Sequence, residues 1–235
     1  MTSRTRWVWF AVGVVVAAMI GALVVVWRNR EPSAEAPLGQ APAPATTATT
    51  VTGQQAAATA CAPTAGMFGP MPTDPRVSYF SVDGQAVRLP EARGAGPSNK
   101  SGVPHCFSHS TLGAAMAAAN FVAWLQPGGQ ATIQAWQALF VPDHNAAQMV
   151  SQMKVDVPTP ALGLDVIGAR VDNADANSAH VVVVMSVQDS YAAFPVDLRW
   201  MPERNDWGVV APQVSTSPVY PVKSLSGEQF VVWRQ

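Results

Sequence analysis

The chain has 235 residues, of which 12% are charged, and its formal net charge is −1. This length accommodates one domain with extensions. A net charge so close to zero provides no basic face of the kind that nucleic-acid binding requires, so we expect no nucleic-acid partner. The two cysteines, Cys61 and Cys106, are too few for a disulfide-dense scaffold, although they can form one bridge.

The N-terminal region predicts a membrane anchor. A short polar segment, residues 1–6, precedes an uncharged stretch from Trp7 to Trp27 that has tryptophan at both ends. This length and these aromatic ends are typical of a membrane-spanning helix. A cleaved signal peptide is the alternative, but its apolar core is shorter and small residues follow it, whereas Arg28 and Arg30 follow here. We therefore expect an uncleaved, single-pass transmembrane helix over residues 7–27.

The positive charges do not determine the orientation of this helix. Arg4 and Arg6 on one side balance Arg28 and Arg30 on the other. The segment that follows, residues 28–75, is rich in Ala, Pro and Thr and has few large apolar side chains, so it predicts a disordered linker. Because this composition is typical of exported linkers, and because a disulfide is possible, we expect the N-terminus in the cytoplasm and the C-terminal domain outside the cell membrane.

A folded domain is expected over residues 76–213. Two short stretches with strand character, Val77 to Val82 and Gln85 to Leu89, flank the dipeptide Asp83-Gly84, which predicts a hairpin. Residues 214–235 are expected to form a C-terminal tail that packs back on the domain, because this tail contains an apolar segment that needs a partner.

The most distinctive stretch runs from Leu112 to Leu125 and contains no charged residue. Ser108, Ser110 or Thr111 can cap a helix that starts here. A helix that is apolar nearly all round belongs in the interior, and at about 21 Å this one is too short to cross a membrane. It is therefore the predicted central helix of the domain. The predicted core combines its large side chains with three tryptophans from later elements: Leu112, Met116, Phe121, Trp124, Trp136, Trp200 and Trp207.

Further helices and then strands are predicted after this central helix. Gln130 to Phe140 has a helical stripe of apolar residues, and Pro142-Asp143 opens a third helix. The period then changes to that of strands. The four strand candidates are Leu162 to Val171, His180 to Val187, Phe194 to Met201 and Trp207 to Ala211. Short connections predict an antiparallel meander, and the layout is α+β. A long apolar helix held in a curled antiparallel sheet is the cone of the nuclear-transport-factor-2-like class.

Three motifs carry a resemblance to a known group of proteins. They are residues 105–115 (HCFSHSTLGAA), residues 198–200 with 206–210 (LRW and DWGVV), and residues 230–233 (FVVW). The chain resembles actinobacterial single-span membrane proteins of unassigned function, many of which are carried near conjugative or integrative elements. These in turn resemble bitopic, nuclear-transport-factor-2-like subunits of conjugation and type IV secretion systems. Cys106 departs from the pattern, which tends to have Gly at this position.

The resemblance covers the membrane span and residues 76–235. It implies a non-catalytic, membrane-anchored structural or assembly subunit of a conjugation-type or secretion-type envelope complex. The implied partners are further copies of the chain and other subunits of that complex. Two other classes of function stay open. One is an extracytoplasmic module that binds a small ligand, such as a lipid or a cell-wall fragment; the other is an isomerase-like or hydrolase-like enzyme on the same cone.

Three candidate sites accompany these alternatives. A bridge between Cys61 and Cys106 would close a loop worth roughly 4 kcal/mol on the chain-entropy model, and two unpaired thiols are the alternative. His105, Cys106 and His109 include metal-ligand types, but no fourth ligand follows at a regular spacing, so we expect no metal. The polar groups available to a cavity follow no catalytic motif, so we expect neither catalytic residues nor a cofactor. These groups are Asp165, His180, Tyr191 and Asp197.

Overall fold

The computed structural model describes Cys61 and residues 66–82, 84–85, 87–152, 164–187, 190–212 and 219–233. All of these residues belong to one compact unit, residues 56–235. The predicted anchor at residues 7–27 and most of the predicted linker lie outside the described residues, as does Asp83 of the predicted hairpin turn. Among the residues that the structure describes, no helix is long and apolar enough to cross a membrane.

The described chain is an α+β domain, which confirms the predicted class. Strands β1 (Val77–Ser81) and β2 (Arg88–Ala92) form a two-stranded antiparallel sheet. Three helices follow: α1 (Thr111–Ala123), α2 (Gly129–Leu139) and α3 (His144–Gln152). Six further strands complete the fold: β3 (Leu164–Ala174), β4 (Ser178–Val187), β5 (Ser190–Met201), β6 (Asp206–Val209), β7 (Tyr220–Val222) and β8 (Val231–Val232).

The six later strands form one antiparallel sheet in the order β6-β5-β4-β3-β8, with β7 also paired to β5. Strands β3 to β6 are therefore the consecutive meander that the short connections predict. Residues 172–177 have a polar composition that is typical of a turn, but the first three of them belong to β3, which continues to Ala174. A register shift precedes Asn173, whose Oδ1 accepts a hydrogen bond from the N–H of His180 and so keeps the two strands paired.

Helix α1 begins where its sequence predicts. The Oγ of Ser110 accepts a hydrogen bond from the N–H of Gly113 at 3.0 Å, so Ser110 is the N-cap. Every residue of α1 except Leu112 is buried. Its one buried amide, Asn120, donates from Nδ2 to the carbonyl oxygens of Pro90 and Met116, which fastens the helix to β2. The amide nitrogen of Asn120 therefore has two backbone acceptors in the buried interior.

The main core lies between α1 and one face of the large sheet. Alternate residues of β4, such as Val181 and Val183, face this inner side, whereas Val182 and Val184 belong to a second apolar cluster on the outer side. Burial of β4 on both faces explains its unbroken run of valines and its place in the middle of the sheet.

The large side chains predicted for the core differ in their burial. Leu112 and Trp200 are half-buried and pack against the edge of the core. Leu112 lies in the first turn of α1, and the ring of Trp200 stacks on that of His109 instead of entering the interior. The five that are buried in the main core are Met116, Phe121, Trp124, Trp136 and Trp207.

Residues 219–233, here called the strap, lie along the outer face of the sheet. Tyr220–Val222 pair with β5, and Val231–Val232 pair with β3. Val222 and Phe230 pack on the outer apolar cluster, whereas Trp233 reaches the main core and is 6% exposed. The strap therefore passes from the outer face to the inner side of the sheet.

We expect alanine at Gly113 to destabilise the folded chain. An added Cβ would collide with the carbonyl oxygen of Ser108, so the loop or the helix must move, and overpacking of this kind costs about 1–3 kcal/mol. Thermal unfolding of the full chain in detergent, followed by tryptophan fluorescence, should show a lower midpoint for Gly113→Ala. Gly69→Ala is the matched control, because no atom lies within 4 Å of a Cβ added there. Equal midpoints for the two variants would contradict the close approach.

Candidate functional site

A disulfide joins Cys61 to Cys106, with the two Cα atoms 5.2 Å apart. The backbone around Cys61 is held as well, because its N–H donates to the carbonyl oxygen of Arg204 and its carbonyl oxygen accepts from Nδ2 of Asn205. The predicted bridge is therefore present and connects Cys61 to the loop before α1, while the two hydrogen bonds connect Cys61 to the turn between β5 and β6.

Ordered contacts with the domain begin before the predicted boundary at residue 76. The hydroxyl of Thr111 donates to the carbonyl oxygen of Gly69 at 2.9 Å, and the N–H of Gly69 donates to that hydroxyl at 3.1 Å. Phe68 and Met71 pack against the main core. Large apolar side chains near the end of the predicted linker explain the difference, because they bury surface that the rest of this segment cannot supply. We call Cys61, residues 66–71, residues 105–111 and residues 204–207 together the clasp.

The carboxylate of Asp206 lies at the centre of the clasp and is 1% exposed. It accepts hydrogen bonds of 2.9 Å from the backbone N–H groups of Cys106, Phe107 and Trp207. Burial raises the pKa of Asp206, and this effect outweighs the lowering by the three N–H donors and by Arg204. Cys106 has a φ of 68°, a left-handed conformation that is uncommon for a residue with a side chain. The bond from its N–H to Asp206 helps to hold that conformation.

Aromatic rings close one side of the clasp. The ring of His109 stacks on Trp200, with centroids 3.8 Å apart, and meets Phe68 edge-on at 5.0 Å. Its Nε2 lies 2.8 Å from the carbonyl oxygen of Ala176, which assigns a proton to that nitrogen. Nε1 of Trp207 donates to the carbonyl oxygen of Ser108 at 2.9 Å. His109 is therefore held as a packing and hydrogen-bonding residue.

The candidate metal ligands divide between two places. The ligand atoms of Cys61, His105 and Cys106 lie within 4.8 Å of one another, whereas His109 belongs to the aromatic stack. A cysteine binds a metal ion as its thiolate, and the sulfur atoms of Cys61 and Cys106 are bonded to each other here. This arrangement favours a structural bridge. The absence of a bound metal stays a prediction.

The outer face of the sheet beside the strap carries a row of charged groups. Nε of Arg170 lies 2.6 Å from Oδ1 of Asp172, and Nε2 of His180 lies 3.9 Å from Oδ2 of the same carboxylate. Nδ1 of His180 lies 2.6 Å from Oδ1 of Asp197 on the neighbouring strand. Arg199 lies two residues beyond Asp197 and is exposed. We call these five residues the polar face.

An open groove of about 580 Å³ borders the polar face at the start of β4. Its lining combines polar residues with Ala179, Leu198, Trp200 and Val210; the polar ones are Asn173, Asn177, Ser178, His180, Asp197 and Arg199. The hydrogen bond to Asp172 raises the pKa of Arg170, so this guanidinium remains charged. The polar face therefore offers fixed charges of both signs on rigid strands, open to solvent.

The structure brings together only two of the four polar residues that were candidates for a cavity. His180 and Asp197 are neighbours across β4 and β5. Asp165 pairs with Arg88 at 3.4 Å near β2, and Tyr191 is 41% exposed at the start of β5. The four groups are therefore spread over the sheet, and the His180–Asp197 pair lies on its exposed face.

Two features of the site have little signal in the sequence. Asp206 follows Glu203-Arg204-Asn205, a polar stretch that is typical of an exposed turn, and its three donors come from Cys106, Phe107 and Trp207. The sequence contains only a weak signal for the Arg170–Asp172 ion pair: the two charges are at alternate positions of a predicted strand, and such positions share one face.

Comparison with known proteins gives a single finding. Residues 42–231 match the family model described as a domain of unknown function, DUF8175. No curated protein and no solved structure matches the chain. The matched range contains the whole of the clasp and the polar face, together with the strap up to Val231.

Replacing Asp206 by asparagine should destabilise the chain in a pH-dependent way. Asparagine keeps one acceptor oxygen but turns an NH2 group towards backbone N–H donors, and a buried unpaired donor costs about 1–3 kcal/mol. Because burial raises the pKa of Asp206 above its ordinary value of 3.8, the folded chain keeps this proton at pH values where the unfolded chain has lost it. That contribution is fully present below pH 3.8 and is lost as the pH rises through the raised pKa.

The excess stability of the wild-type chain over Asp206→Asn should therefore be larger at pH 4 than at pH 7. Denaturant unfolding of the full chain in detergent at several pH values measures it. Asp165→Asn is the control, because Asp165 is exposed and its pair with Arg88 contributes at most about 1 kcal/mol. An excess that grows from pH 4 to pH 7 would show that the pKa of Asp206 is lowered by folding.

Removal of the disulfide should loosen the whole clasp. The double variant Cys61→Ser/Cys106→Ser is expected to lose about 2–5 kcal/mol of stability, because the bridge no longer restricts the unfolded chain. Denaturant unfolding measures the loss, and the wild-type chain treated with a reducing agent is the internal control. The reduced wild type should unfold near the double variant, and an unchanged midpoint in both would show that the bridge does not stabilise the domain.

Proposed function

We propose, on the premise that the chain belongs to the DUF8175 family, that it is a membrane-anchored, non-catalytic assembly subunit of an envelope complex of the conjugation or secretion type. Residues 7–27 anchor it as a single-pass helix, and the linker carries an extracytoplasmic domain. Its partners are further copies of the chain and other subunits of the complex. The family itself has no assigned function, so the proposal depends on the residues described above.

The clasp is the observation that supports this proposal most. A disulfide favours an oxidising compartment, which for a membrane protein of this kind lies outside the cytoplasm. Cys61 lies where the N-terminal chain reaches the domain, so the tether is covalently joined to the loop before α1. A domain with such an attachment can carry load between the membrane and its neighbours.

The finer fold that we propose is the nuclear-transport-factor-2-like cone. Helix α1 packs along the inner face of the meander, as this class requires. Strand β3 has two register shifts, before Gly168 and before Asn173, and such irregularities bend a strand and increase its twist. Bends in β3 would help the sheet to curl around the helix.

The polar face supplies the surface for a protein partner. Fixed charges of both signs favour specific and correctly oriented association more than raw affinity. Tethering adds to this, because two domains anchored in one membrane meet at a high local concentration, and weak contacts then suffice. A spread-out set of exposed charges is better suited to a neighbouring protein surface than to a reaction centre.

Orientation can be tested in intact cells with a Gln134→Cys variant. Gln134 is exposed and lies away from the polar face, and the native cysteines are bonded to each other, so the new thiol is the reactive one. A membrane-impermeant maleimide should label it before lysis, and the chain should stay in the membrane fraction after alkaline extraction. Labelling that appears only after lysis would place the domain on the cytoplasmic side and overturn the proposal.

Assembly can be tested by photo-crosslinking in the same cells. A photoreactive residue at Arg199 or Asp197 should capture further copies of the chain and other membrane proteins of one complex. The matched control is Gln134, which is exposed on α2 and away from the polar face. A chain that gives no adducts from the polar face, or equal adducts from Gln134, would contradict assembly through this surface.

A further inference from the structure

The strap covers an apolar patch that would otherwise face solvent. Val182, Val184 and Ala193 of the outer face are buried, and Val222 and Phe230 of the strap belong to the same cluster. Without the strap, the middle of the outer face would be an exposed apolar surface beside the polar face. Patches of this kind on a soluble domain mark sites of association.

The sheet is shaped to receive the strap. A Cβ added to Gly168 would collide with the carbonyl oxygen of Val231, so only glycine leaves room for the strap at this position. The N–H of Trp233 donates to the carbonyl oxygen of Ile167 at 2.9 Å. We call Ile167, Gly168 and Arg170, together with the apolar patch, the socket.

Arg170 holds the strap from the side. Its NH1 donates to the carbonyl oxygen of Glu228 at 2.9 Å, and its guanidinium carbon lies 5.2 Å from the ring centroid of Phe230. The same guanidinium pairs with Asp172 of the polar face. One side chain therefore connects the strap to the surface that the proposed function assigns to partners.

The strap pairs with the sheet over only a few residues. Three residue pairs join β7 to β5, and two join β8 to β3. Nε1 of Trp233 is buried, and no acceptor for it lies within the described part of the chain. An unpaired buried donor weakens the hold of the strap.

We propose that copies of this chain exchange their straps, so that each strap occupies the socket of a neighbouring copy. The inference rests on the proposed function, because it needs copies anchored side by side in one membrane. A strap from a neighbour would make the same backbone pairs and fill the same patch, so exchange gives up no contact. Exchange of identical elements is a low-cost route to association, and anchoring raises the local concentration of the second strap.

The length of the connecting chain limits the geometry of the exchange. Residues 213–218 separate the meander from the strap, and a fully extended chain of this length spans at most about 24 Å. The neighbouring socket must therefore be immediately beside the domain that donates the strap. The exchanged copies would be in direct contact, with Arg170 of one copy holding Glu228 of the next.

The test places one cysteine on each of two differently tagged full-length copies in the same membrane. One copy carries Tyr191→Cys and the other Val222→Cys, because these residues face each other between β5 and β7. After mild oxidation, mass spectrometry should find a disulfide between the two copies at these positions. Its yield should exceed that of the control by about tenfold or more.

The matched control is a copy with Asp165→Cys beside a copy with Ser186→Cys. These residues also face each other and lie away from the polar face, but they are on adjacent strands of the meander, which cannot exchange separately. A single copy with both Tyr191→Cys and Val222→Cys shows that the variants fold and that the bond can form. If that bond forms within one copy and the yield between copies stays at the control level, strap exchange is wrong. Photo-crosslinks from the polar face would then still support the proposed function, so the two failures are distinguishable.

Discussion

The buried carboxylate of Asp206 is the interaction on which the rest of the structure depends. It accepts from the N–H groups of Cys106, Phe107 and Trp207, and so joins two parts of the chain that lie about one hundred residues apart. A buried carboxylate is costly unless donors surround it, and here the donors are backbone groups that would otherwise be unpaired. The benefit is mutual, because the N–H groups of Cys106 and Phe107 in the loop before α1 have this acceptor only if Asp206 is in place.

The consequences of this contact reach the main core in a few steps. Phe107 and Ser108 follow directly, and Nε1 of Trp207 donates to the carbonyl oxygen of Ser108. That carbonyl oxygen lies against Gly113 in the first turn of α1, so the position of the loop determines where the helix begins. Helix α1 in turn supplies the surface on which the inner face of the sheet packs. The disulfide adds a covalent restraint to an arrangement that hydrogen bonds already define.

Local patterns in the sequence predict the elements, whereas the clasp depends on contacts that no local pattern contains. The uncharged run after Thr111 predicts α1. The alternation of apolar and charged residues from Val196 to Trp200 predicts a strand with one solvent-exposed face. Asp206 could not be predicted as buried, because its own neighbours are polar and its donors are distant in the sequence. Composition likewise assigns residues 66–71 to the linker. The packing of Phe68 could not be predicted, because its partners His109 and Trp207 are distant in the sequence. Cys61 and Cys106 were identifiable as a pair because the chain contains no others.

The two ends of β5 have different tasks in the proposed assembly. Trp200 lies at the end of β5 next to the clasp, where its ring stacks on His109, whereas Tyr191 lies at the other end and pairs with the strap. At about 3.3 Å per residue of a strand, these two residues are about 30 Å apart. If the assembly is as proposed, tension from the membrane would enter at Cys61 and pass through the disulfide to the loop before α1, so it would not act first on the few residue pairs of the strap. The proposed attachment to the membrane could then be strong while the proposed contacts between copies remained exchangeable. A subunit that must be anchored firmly and still rearrange with its neighbours needs this separation.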